Sequence, residues 1–167
     1  MATAISLEQY LIKNRIPYDV MIHPPTEYSM ATAQAAGIPA ACLAKSVVLC
    51  DEYGYLIAVV PATHYLHLGH LRRQLARSLR LATEAEMHPL FSDCIGGAVP
   101  PLGSAYGLDV IVDDSLNDQP EIFFEGGDHR ELIRVTGGDF QRLLVDAMHG
   151  RFSHARSSRH AHFPHGH

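Results

Sequence analysis

Two runs of apolar and β-branched residues, Ser46 to Cys50 and Leu56 to Val60, are separated by Asp51-Glu52-Tyr53-Gly54-Tyr55. A glycine within a short polar stretch between two such runs reads as a β-hairpin. Neither run alternates between polar and apolar residues. Both of its faces must therefore be covered, which places the hairpin centrally in a sheet packed on two sides. The chain has 167 residues, 47% of them hydrophobic, and a single domain of that size can supply both layers.

The other elements follow from periodicity and punctuation. Ser6 reads as an N-cap with Gln9 in the capping-box position, and Leu7, Tyr10, Leu11 and Asn14 keep helical spacing up to Pro17. Tyr18 to Ile22 alternates as a strand. Ser29 caps a short alanine-rich helix, Met30 to Ala36, closed by Gly37. A helix is expected over His67 to Ala76, and a second one after Thr83 with Glu86 in the box position. Leu108 to Val112, Glu121 to Phe124 and Arg130 to Val135 read as strands, and Thr136 to Asp139 caps a last helix with Phe140, Leu143, Leu144 and Ala147 on one face. This order is not a regular βαβ alternation. It predicts an α+β fold: a mixed, curled or barrel-like sheet with helices packed around it.

No linker or repeat divides residues 1–148, which are expected to form one domain. Residues 149–167 hold six of the twelve histidines and lack apolar periodicity, so a mobile His-rich tail is expected there. The start has neither the basic region nor the apolar run of a signal peptide, and the longest apolar run, Leu56 to Ala62, is seven residues. A soluble, cytoplasmic protein with no membrane partner is expected. Three cysteines without CxxC spacing fit reduced thiols.

The net charge of −5 argues against a general nucleic-acid binder, but its distribution is uneven. Residues 72–80 carry Arg72, Arg73, Arg77 and Arg80 with no acid, and Arg73, Arg77 and Arg80 recur at i, i+4 and i+7. One helical stripe is expected, either a solvated face or a grip for a few phosphates. His64, His67 and His70 recur every three residues, but no carboxylate or cysteine follows at metal spacing.

Walker, GxGxxG, HExxH and GxSxG motifs are absent. Three features remain. Lys45, one of two lysines, stands at the edge of the first hairpin strand, where lysine is uncommon. Gly96-Gly97-Ala98-Val99-Pro100-Pro101-Leu102-Gly103 is a stiff, uncharged loop whose free N–H groups can converge on an oxyanion. Asp128-His129 follows Gly126-Gly127 in a turn between strands. A cation, backbone donors and a histidine suit ester hydrolysis. With no nucleophile beside a base, water is the attacking group. A snorkelling edge lysine and an ordinary turn histidine are the alternatives.

Ala44-Lys45-Ser46-Val47-Val48-Leu49, Gly97-Ala98-Val99-Pro100-Pro101-Leu102-Gly103 and Phe123-Phe124-Glu125-Gly126-Gly127-Asp128-His129 together resemble the YbaK / prolyl-tRNA-synthetase-associated domain family of trans-editing aminoacyl-tRNA deacylases. The resemblance covers about residues 5–148. It implies hydrolysis of the ester of a tRNA carrying a wrong small amino acid such as Ala, Ser, Thr or Cys, with no cofactor or metal. Its partners would be the acceptor end of aminoacyl-tRNA and an aminoacyl-tRNA synthetase. Lys45, Gly97, Ala98, Pro101 and His129 match catalytic positions. Met30, Ser46, Gly103 and Asp128 match substrate-binding ones, and Arg73, Arg77 and Arg80 would hold tRNA phosphates. In the family the substrate's own ribose hydroxyl is described as helping to position water. Gly96 to Pro100 also fits the loop's GxxxP pattern; the Gly97 register is preferred for its Pro101-Leu102-Gly103 ending, and Pro100 removes a donor inside it. The rival reading is a non-catalytic module that holds a small ligand or tRNA in the same pocket.

Overall fold

The computed structural model describes residues 4–26, 29–95 and 98–156. In chain order its elements are α1 (Ile5–Lys13), β1 (Asp19–Ile22), α2 (Ser29–Ala36), β2 (Ala44–Asp51), β3 (Gly54–Pro61), β4 (His64–Leu66), α3 (Leu68–Leu75), β5 (Arg80–Leu81), α4 (Glu84–Leu90), β6 (Asp109–Asp113), β7 (Glu121–Glu125), β8 (Glu131–Thr136), α5 (Gly137–Leu143), β9 (Met148–Gly150) and β10 (Ser153–Ala155). The fold is mixed α+β, as the sequence predicts.

The hairpin β2–β3 is antiparallel, with Val48 opposite Ile57 and Leu49 opposite Leu56. It lies inside a five-stranded sheet of order β5-β2-β3-β6-β9, whose β3–β6 and β6–β9 pairs are parallel. Strand alternation divides its side chains between two cores. Ala44, Val48, Ile57 and Val59 join Leu7, Leu11, Phe91, Phe124 and Phe140. Leu49, Leu56, Ala58 and Val60 face the other way, onto Leu71, Leu79 and Phe152. Both faces are thus dry, for the reason that gives the hairpin its unbroken apolar runs.

The remaining strands form an antiparallel β1-β8-β7 sheet and a β10-β4 pair. A single parallel bridge, Leu43 to Phe123, links the first of these to the start of β2. Among the described residues the strands form three sheets rather than one closed ladder, so the barrel-like closure expected from element order is not seen there.

Local capping explains several helix starts. Thr83 and Glu86 form the full capping box of α4, and Thr136 caps α5 through the N–H of Asp139. Helix α1 differs from expectation: its N-cap is Ala4, and the N–H of Ser6 donates instead to Asp93 Oδ2 at 2.8 Å. A carboxylate from elsewhere in the chain takes the place of a local cap.

The expected tail also differs. Residues 148–155 continue the fold, β9 along β6 and β10 along β4. Between them Phe152 is 1% exposed, and its N–H donates to buried Asp113 at 2.8 Å. One aromatic anchor within a polar stretch gives no periodicity to read. His160, His162, His165 and His167 lie outside the described residues. Phe152→Ala is expected to destabilise the protein by roughly 3–5 kcal/mol, measured by urea unfolding; a loss below roughly 1 kcal/mol would show that this segment is not part of the folded unit.

Candidate functional site

Strand β2 enters the sheet at Ala44, and its first residues carry the polar groups. Lys45 is half-buried, and its Nζ donates to the carbonyl of His64 at 3.4 Å. Burial, and then the charge of Arg156, hold its ammonium below the usual lysine range. Neighbouring Ser46 points to the opposite face, where its Oγ is buried without a partner.

The glycine loop and the Asp128-His129 turn are held together. Ile95 N–H donates to Gly127 O at 2.7 Å, and Ala4 N–H donates to Gly126 O at 2.7 Å. Gly127 has φ +111, and a Cβ there would meet Ala4 Cβ at 2.8 Å, so only glycine fits. His129 itself takes a left-handed conformation, φ 60. Asp128 is buried, and its Oδ1 accepts from the N–H groups of Arg130 and Glu131. Its first role is to fold the turn that presents His129.

Not every loop residue is a free donor. Ala98 N–H closes a turn onto Ile95 O at 3.0 Å, which corrects its expected place among the ester-facing amides. Pro100 and Pro101 have no N–H. Among the described residues 98–101, Val99 keeps an N–H without a partner. Gly96 and Gly97 lie outside the described residues. Gly103 is required by packing: a Cβ would lie 2.5 Å from Leu108 O and 2.5 Å from a Val110 methyl.

Among the described residues, four buried side-chain atoms have no partner: His23 Nε2, Ser46 Oγ, Glu125 Oε1 and Asp128 Oδ2. Three of them are close to the turn. His23 N–H donates to Arg130 O at 2.8 Å, and Glu125 feels the charges of His129 and Asp128. Burial first, then Asp128, push the Glu125 carboxyl up to about 7, with His129 opposing. Unpaired buried polar atoms are costly and gather where a ligand can satisfy them. Sequence reading missed His23 and Glu125 as site candidates. The signal for Glu125 was a carboxylate at the end of the apolar run Ile122 to Phe124.

The remaining expected members sit on other elements. Met30 is exposed on α2, whose Ala33 packs with Leu43 at the entry to β2. The arginine stripe does not form. Helix α3 ends at Leu75, and Ala76 takes a left-handed conformation, φ 53, so Arg77 and Arg80 leave the helix. Arg77 makes a bidentate pair with buried Asp51, at 2.7 and 2.8 Å, which holds that carboxyl down to about 2. Arg80 pairs likewise with Glu86, at 2.8 Å to each oxygen. Both serve the fold. Arg73 stays exposed on α3.

A cavity of about 360 Å³ lies between the loop and α4. Met87, Phe91, Cys94, Ile95 and Val99 line it, with the exposed Glu84 and His88. Burial pushes the Cys94 thiol up to about 12, which leaves no thiolate there for nucleophilic attack. No group of three histidine, cysteine or carboxylate side chains comes together as a metal site among the described residues. No helix among them is long and apolar enough to cross a membrane.

A sequence model described as the aminoacyl-tRNA editing domain matches residues 23–143. Among solved structures, one described as a candidate trans-editing enzyme for prolyl-tRNA synthetase is 28% identical, covers 91% of this chain and 97% of its own, and has a TM-score of 0.78. A scaffold used for computational epitope grafting is 26% identical over 91% and 97%, also with a TM-score of 0.78. A candidate signal transduction protein from Marinobacter aquaeolei VT8, 22% identical over 89% of this chain and 30% of its own, has a TM-score of 0.74 and shares the fold. The comparison with curated proteins finds no match.

The raised Glu125 carboxyl makes a stability prediction. Its protonated form favours the folded state, so that contribution is complete below about 4.5 and is lost as the pH rises to about 7. The stability of Glu125→Gln relative to wild type is expected to increase by roughly 2 kcal/mol between pH 4.5 and pH 8 in urea unfolding. A pH-independent difference would remove Glu125 from the buried titrating groups.

Proposed function

This chain belongs to the aminoacyl-tRNA editing domain family, and on that premise we propose that it hydrolyses the ester of mischarged tRNA in trans, in the cytoplasm. The substrate class is a small aminoacyl group such as Ala, Ser, Thr or Cys on the terminal adenosine. The observation that carries the reading is the hydrogen bond from Ile95 to Gly127, which couples the glycine loop to the Asp128-His129 turn at the mouth of a core with unsatisfied polar atoms.

The chemistry follows from those groups. Water attacks the ester carbonyl carbon, and the negative charge that develops on its oxygen is received by the main-chain N–H groups of Gly97 and Val99. The attacking water gives up a proton, the C–O bond to ribose breaks, and a proton passes to the leaving ribose oxygen, so that the free amino acid and the ribose hydroxyl result. Lys45 holds the adenosine end by charge. The partly unsatisfied carboxyls of Glu125 and Asp128 suit the substrate's α-ammonium group, which would also draw Glu125 into its ionised form. Ser46 Oγ shapes the amino-acid pocket with Met30, and His129 bounds the site from the turn. An aminoacyl-tRNA synthetase is the partner from which the mischarged tRNA would be passed.

Lys45→Ala is expected to reduce the rate of deacylation of small-aminoacyl tRNAs by roughly 10²-fold or more at unchanged thermal stability. Mischarged tRNAs hydrolysed equally fast by wild type and variant, across Ala-, Ser-, Thr- and Cys-tRNA, would contradict the assignment.

A further inference from the structure

The groups around Lys45 on its own side of the sheet have no place in the ester chemistry. Strands β4 and β10 form a short ribbon with Tyr65 opposite His154. Tyr65 is 41% exposed, and the Arg156 guanidinium lies 4.2 Å above its ring centroid and donates to its hydroxyl at 2.8 Å. The His154 ring is 6.0 Å from Tyr65 and 5.9 Å from His67, whose ring is 5.7 Å from His70 at the start of α3. Arg73 folds back over Gly69 beside His67: a Cβ on that glycine would lie 3.8 Å from both the Arg73 guanidinium and the His67 ring. Lys45 adjoins the ribbon through the His64 carbonyl, and its ammonium feels the Arg156 charge.

Four arginines elsewhere in the fold are committed to carboxylates. Arg77, Arg80, Arg134 and Arg142 each pair with a carboxylate within 3.0 Å. Lys45, Arg73 and Arg156 have no carboxylate partner among the described residues. Asp113, the carboxylate that acts on His64, is itself buried and already accepts from Phe152 and Ser115. Unpaired cations interleaved with flat rings are the composition of a single-strand nucleic-acid platform, on which phosphates meet the charges and bases stack on rings or guanidinium planes. The patch is too small, and the chain at −5 too acidic, to coat a duplex.

We infer that the β4–β10 ribbon with the start of α3, centred on Tyr65, His154 and Arg156, is the surface that holds the unpaired 3′ nucleotides of the RNA preceding the terminal adenosine. The inference rests on the hydrolase reading for the direction of the strand, which must end at Lys45. It moves RNA contact away from Arg77 and Arg80 and keeps Arg73 alone of the arginine stripe.

The test uses an uncharged acceptor minihelix with a single-stranded 3′ end, followed by fluorescence anisotropy at low salt, and two substrates: the aminoacylated minihelix and aminoacyl-adenosine. Arg156→Gln and Tyr65→Ala are each expected to weaken minihelix binding by about tenfold. Both should raise KM for the aminoacyl-minihelix by a similar factor, and Tyr65→Ala should leave hydrolysis of aminoacyl-adenosine unchanged. Arg73→Gln, on the exposed face of α3 and outside the ribbon, should weaken binding and reduce the salt slope by about one. Wild-type affinity in all three variants would overturn the surface. Should wild type hydrolyse neither substrate while minihelix binding still depends on these residues, the hydrolase reading falls and the RNA surface stands.

Discussion

Burial of the β2–β3 hairpin on both faces is the constraint from which the rest follows. Leu49 and Leu56 are sealed on one side by Leu71, Leu79 and Phe152, while Val48 and Ile57 are sealed on the other by the helices and the second sheet. A strand covered on both sides can carry polar side chains only near its ends. Lys45 and Ser46 stand at that point. One projects toward the β4–β10 ribbon and the other toward the larger core, so a single dipeptide serves two neighbouring environments.

The same economy of position governs the loop and the turn. The Ile95–Gly127 bond fixes their separation, and Gly127 lets Ala4, the N-cap of α1, press against the turn. His129 is thereby held in a conformation that non-glycine residues seldom take. The polar atoms left unsatisfied nearby, on His23, Glu125 and Asp128, lower the stability of the empty protein. A ligand with a positive charge and hydrogen-bonding groups would recover that loss on binding. Strain and unmet polarity are thus concentrated beside one loop.

What could be read from the residues in order was what short-range chemistry decides. The Thr83–Glu86 box, the Thr136 cap, the Gly54 turn and the two-faced hairpin depend on neighbours within a few positions, and the structure contains them all. Misreadings came where a partner lies far along the chain. Arg77 and Arg80 keep helical spacing with Arg73, but a left-handed Ala76 ends the helix, and Asp51 and Glu86 claim the two guanidinium groups. Ser6 was available as a cap, yet Asp93 does that work from 87 positions away. Phe152 stood alone among histidines and arginines, with no pattern to announce that it fills the second core. Lys45 and the loop stood out by residue type alone. The use of Ala98 N–H inside the loop's own turn was not, because it depends on backbone geometry that composition does not encode.

Two places along the loop compete for the aminoacyl end: the polar side beside Gly127, and the apolar cavity against α4 lined by Met87 and Phe91. The most direct discrimination is an amide NMR titration of the protein with a non-hydrolysable aminoacyl-adenosine in which an amide replaces the ester. The account predicts that the largest shifts fall on Lys45, Ser46, Val99, Gly127 and His129. Shifts confined to Ala85, Met87, His88 and Phe91, with Lys45 and His129 unmoved, would contradict it.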